Sequence, residues 1–134
     1  MILPNGTTVA VADGRTLLLF RNRAHEPDID LEPLEVPQIE GDTRGSGARH
    51  RSSSANPDDA RLGEDGFAAA AADHLNRQAL GGHIERLFVI ADPRTLGELR
   101  RHFHGVLASR VVGDLAKDLV DRSVGEIEAA LRRA

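Results

Sequence analysis

A chain of 134 residues with 40% hydrophobic content is long enough to build a core without disulfides or a structural metal. It has no cysteine, which excludes a disulfide framework, a thiolate zinc site and a cysteine nucleophile. A net charge of −4, from 21 acidic against 17 basic residues, provides no global field to attract nucleic acid.

The opening stretch, MILPNGTTVAVADGR, lacks the basic n-region and long apolar h-region of a secretory signal. No apolar run approaches the ~20 residues that span a bilayer. These features predict a cytoplasmic protein of one domain over residues 1–134, with no membrane partner.

Thr8 to Ala12 and Thr16 to Phe20 are short apolar, β-branched-rich runs on either side of Asp13-Gly14-Arg15. Asp-Gly between such runs predicts a hairpin, since both residues tolerate positive φ. Ile29 to Val36 alternates apolar and polar residues around Pro33, which predicts a third strand near a sheet edge.

From Glu40 to Asp59 the sequence EGDTRGSGARHRSSSANPDD has no apolar periodicity. It predicts a polar, flexible loop at about 40–63, a long connection of the kind that is usually functional or disordered.

GEDGFAAAAADHLNRQALGG follows. Its alanines favour helix, Glu64 and Asp65 suit a helix N-terminus, and Gly81-Gly82 suits a stop. Phe67, Ala71, Leu75 and Ala79 form the apolar stripe. Arg86 to Ala91 is a continuous apolar run, as expected of a strand buried on both faces.

Asp92-Pro93 opens a second helix, with Thr95 and Glu98 as a competing capping box. Leu96, Leu99 and Phe103 are its expected buried face. Ser109 to Val112 predicts another short strand. Ser123 and Glu126 frame a capping box before a last helix buried through Val124, Ile127 and Leu131. The order β-β-β-α-β-α-β-α predicts an α/β fold with a mixed sheet.

Three segments in this order, VADGRTLLLF at 11–20, LFVIADPRTLGELR at 87–100 and LAKDLVDRSVGEIEAAL at 115–131, resemble the bacterial host-attachment protein family, required for attachment to host cells. With the polar loop before an Ala-rich helix, the resemblance spans nearly the whole chain. That family in turn resembles the middle domain of the archaeal and eukaryotic peptide-chain release factor. The resemblance implies an α/β sheet of ribonuclease H-like topology. In the release factors, a Gly-Gly-Gln tripeptide in the corresponding loop enters the peptidyl transferase centre and helps water cleave peptidyl-tRNA. Here the loop holds Gly45-Ser46-Gly47-Ala48-Arg49-His50 and no Gly-Gly-Gln, so the hydrolytic residue transfers to no position.

Arg44, Arg49, His50 and Arg51, with Gly45 and Gly47 among them, are the loop's basic concentration and the candidate contact for RNA phosphate or a partner. A solvated loop whose arginines are balanced by Glu40, Asp42, Asp58 and Asp59 explains the same residues. Gly81-Gly82-His83 looks like a variant of the tripeptide, but its position makes it a helix cap.

Asp13, Asp92, Asp114 and Asp118 lie near expected strand ends, which leaves a metal-dependent nuclease as a remote alternative. No cofactor, metal site or catalytic residue is expected, because no P-loop, nucleophile elbow or helical His pair occurs. All four phenylalanines fall on expected core faces and there is no Tyr or Trp, which argues against base stacking. Two functions therefore stand. One is a non-catalytic, release-factor-like protein associated with ribosome or tRNA. The other is a cytosolic protein-interaction module with an indirect role in attachment.

Overall fold

The computed structural model describes residues 3–39 and 57–134, with side chains for 3–39 and 63–134. Five strands form one sheet in the order β3-β2-β1-β4-β5. They are β1 (Thr8–Ala12), β2 (Leu17–Asn22), β3 (Leu31–Leu34), β4 (Leu87–Ala91) and β5 (Val111–Ala116). β1 pairs antiparallel with β2 and β2 antiparallel with β3, while β1–β4 and β4–β5 are parallel. The α/β fold with a mixed sheet is as the sequence predicts, and the strand order is compatible with the ribonuclease H-like topology that the resemblance implies.

The period of two along each strand divides the core into two layers. Ala10, Ala12, Leu19, Leu87 and Val89 face α1 (Pro57–Leu80), α2 (Pro93–His102) and the short α3 (Gly105–Ala108). Val9, Val11, Phe20, Phe88 and Ile90 face α4 (Val124–Arg133) through Ile127 and Leu131. β1 and β4 are buried at every residue. Central strands covered on both faces must be apolar throughout, which is why these two read as continuous runs.

The helices end where their capping chemistry directs. Asp92 accepts a hydrogen bond from the Thr95 N–H at 3.1 Å, with Pro93 in the first turn, so the Thr95–Glu98 alternative is not used. Ser123 and Glu126 form the full capping box of α4. At the end of α1, Gly82 has φ +83°, the His83 N–H reaches the Gln78 carbonyl and the Gly82 N–H reaches that of Ala79. This is a Schellman closure.

Four expectations need correction. The polar loop does not run to residue 63, because α1 starts at Pro57. Proline at the first helical position followed by Asp58-Asp59 is a helix-start signal, which Gly63 and Gly66 obscured. Glu64 and Asp65 therefore lie within the helix. The hairpin turn uses no positive φ, since only Gly6 and Gly82 have one among the described residues. Instead the Asp13 carboxylate accepts the N–H groups of Arg15 and Thr16 at 2.8 and 2.7 Å.

The fifth strand covers Val111–Ala116 rather than Ser109 to Val112, and α3 occupies part of the connection before it. Pairing with β4 carries the strand across Gly113-Asp114, two poor strand formers, with a bulge beside Leu87/Phe88. Finally, Phe103 and Val124 are only half-buried at the margins of their layers.

Candidate functional site

The connection from β3 to α1 leaves the sheet after Leu34, is described as far as Ile39, and ends where α1 starts at Pro57. Its base is built from the β1–β2 turn, the segment after β3 and the early turns of α1. Leu34, Val36 and Ile39 pack against the first core layer, so the segment after β3 is held against α1. A cavity of about 270 Å³ lies there, lined by residues including Arg15, Gln38, Ile39 and Phe67.

Close contacts fix this base. A Cβ at Gly14 would meet Glu64 Cγ at 2.8 Å, so glycine is required by the approach of α1 and not by the turn. Asp65 holds Arg94 of α2 through both carboxylate oxygens at 2.8 and 2.9 Å. The exposed Arg15 guanidinium has no ion-pair or hydrogen-bond partner among the described residues. A cation with free donors therefore stands beside the departure point of the connection. None of Arg15, Gly14 and Glu64 was a site candidate in the sequence, where Gly14 marks a turn and Glu64 a helix start. An arginine at a hairpin tip carries no signal until the tip is known to lie under α1.

Further along the same face, Asp73, His74 and Arg77 line a second cavity of about 300 Å³ with Gln38 and Ile39. His74 is 9% exposed, and burial pushes its imidazole below the ordinary value of 6.5. The Arg77 cation lowers it further, against an opposing influence from Asp73. Asp73 and Arg77 pair one helical turn apart.

All six residues expected at the site, Arg44, Gly45, Gly47, Arg49, His50 and Arg51, lie outside the described residues. Asp58 and Asp59, counted against the loop arginines in the sequence, lie in the first turn of α1.

Three of the four carboxylates behind the nuclease alternative have local partners, and Asp118 has none among the described residues. Asp13 and Asp92 stand just beyond Ala12 and Ala91, which are paired on adjacent strands. Both accept backbone N–H groups, however: Asp13 in the turn and Asp92 at the helix cap. Asp114 is ion-paired with Arg100. Among the described residues no three His, Asp or Glu side chains gather where an ion would sit. No helix among those residues is long and apolar enough to cross a membrane.

The profile of bacterial archaeo-eukaryotic release factor family 12 matches residues 6–131. No curated protein matches the chain. The match carries the release-factor half of the resemblance, not the host-attachment half.

Proposed function

We propose that the chain, which belongs to bacterial archaeo-eukaryotic release factor family 12, acts as a module resembling the release-factor middle domain. In this reading it docks on the ribosome or tRNA through the connection between β3 and α1. Arg44, Arg49, His50 and Arg51 meet phosphate oxygens, and Gly45 and Gly47 allow close backbone approach. Arg15 adds a cation at the base. Such docking places its work in the cytoplasm.

The observation that carries the reading is positional. The connection leaves the third strand and enters the long first helix, where the release-factor middle domain carries its functional tripeptide. Gly-Gly-Gln occurs nowhere in the sequence, so the proposed role is binding without peptidyl-tRNA hydrolysis.

Changing Arg44, Arg49 and Arg51 together to glutamine tests the contact. The salt dependence of ribosome or tRNA association should flatten by up to ~0.9 per lost duplex phosphate contact, or ~0.7 for single-stranded RNA. Folding stability should be nearly unchanged. An unchanged salt slope would remove these arginines from the mechanism.

A second reading, a protein-interaction module with an indirect role in attachment, is favoured by one feature. Edge strand β5 exposes Val112 near a cleft of about 240 Å³ lined by Val89, Leu96 and the half-buried Phe103. An extended partner segment added to that edge would use the cleft for a side chain. Such binding would survive replacement of the connection, whereas ribosome docking would not.

A further inference from the structure

We propose that the cavity between β2, the segment after β3 and the C-terminal end of α1 binds a small organic anion, apolar at one end and carrying a carboxylate or phosphate monoester at the other. The cavity measures about 430 Å³, the size of a small-molecule site. Leu19, Leu34 and Ile84 supply its apolar surface, while Arg21, His74, Gln78 and His83 supply polar groups.

Arg21 is the centre of the argument. It stands opposite Thr8 on β1 and Glu32 on β3. Glu32 approaches Arg23 instead, at 3.9 Å, and Arg21 has no carboxylate partner among the described residues. Its Nη2 donates to the His83 carbonyl at 3.1 Å, which aims the guanidinium toward the end of α1 while leaving other donors free. Glu35, also in the lining, is exposed and forms no ion pair with it. An uncompensated guanidinium beside an apolar surface favours an anion with an apolar body over a bare inorganic ion.

His74 is the second independent feature. It is 9% exposed, lines the cavity and makes no hydrogen bond among the described residues. Its ring nitrogens are not fully shielded, so a ligand atom in the cavity can reach them. Gln78, one turn further along α1, adds an amide. The Thr8 hydroxyl is also unpartnered, but it is shielded and is not counted among the ligand groups.

Glu35 and Pro37, at the start of the connection, also line the cavity, whereas His74 stands far along α1 from the helix start. His74 lies seventeen residues along α1 from Pro57, about 26 Å at the helical rise.

Titration with phenyl phosphate, benzoate and inorganic phosphate, followed by NMR of imidazole and methyl groups, tests the proposal. At least one aromatic anion should give saturable shifts at His74, His83, Leu19 and Ile84 with a millimolar or tighter dissociation constant. The tighter of the two identifies the head group. Inorganic phosphate should bind more weakly than the tighter aromatic anion. Arg21→Gln should weaken the tighter probe by about tenfold or more, the worth of a hydrogen bond to a charged group. Gln78→Trp should block binding by filling the cavity from the helix surface, and the triple change at Arg44, Arg49 and Arg51 should leave binding intact. The proposal is overturned if neither aromatic anion gives saturable shifts at these residues, if inorganic phosphate binds as tightly, or if both cavity variants bind like the parent.

Discussion

Gly14 shows how one residue can be legible for the wrong reason. In sequence it marks a turn, yet its φ is ordinary and the contact with Glu64 is what requires it. Gly14→Ala should therefore destabilise the fold by ~1–3 kcal/mol, the range for overpacking a fitted contact. Glu64→Ala in the same chain should restore part of that loss, because Glu64 Cγ is the nearest atom. Paired denaturant titrations check this, and no recovery would show that the cost lies in the backbone. His74 supplies a pH test. Its folded pKa is lowered, so the unfolded chain takes up the proton more readily. Its contribution to stability is complete above the ordinary value of 6.5 and is lost as pH falls below it. His74→Gln should flatten the decline in unfolding free energy between about pH 7 and pH 5. An equally steep decline in the variant would assign it to other groups.

At the scale of elements, strong patterns were legible and weak ones were not. β4 and the stripe of α1 were evident because a doubly covered strand demands an unbroken apolar run and a one-sided helix a spacing of four. The start of α1 was hidden by two glycines in a polar context, although Pro57-Asp58-Asp59 carried the signal. The true length of β5 was not legible, because hydrogen bonding to β4 extends it through residues with poor strand preference. The short α3 is one turn seated on Leu107, too brief for periodicity. Leu96 and Leu99 were correctly placed on the buried face of α2, whereas Phe103 at its end faces the cleft beside β5. Leu99→Ala should cost ~2–5 kcal/mol through lost transfer energy and a cavity beneath α2. A loss below about half a kilocalorie in a denaturant titration would contradict that packing.

For the whole molecule, the sequence pattern and family match converge on a release-factor-like α/β fold, while the functional claim concerns the connection built onto it. The proposed contacts Arg44, Arg49, His50 and Arg51 could be named from charge, whereas Arg15 and the base of α1 emerged only from the fold. Where α1 begins also decides how the claim is tested. A deletion running to residue 62 would remove the first turns of the helix, so the replaced segment must stop before Pro57. The most direct measurement is ribosome co-sedimentation of the intact chain and of a variant in which residues 41–55 are replaced by an uncharged Gly-Ser linker, with peptide release monitored in the same complexes. The intact chain should co-sediment in a salt-sensitive manner without releasing peptide, and the variant should remain folded but stay in the supernatant. Equal co-sedimentation of both chains, or peptide release that depends on the replaced segment, would contradict the account.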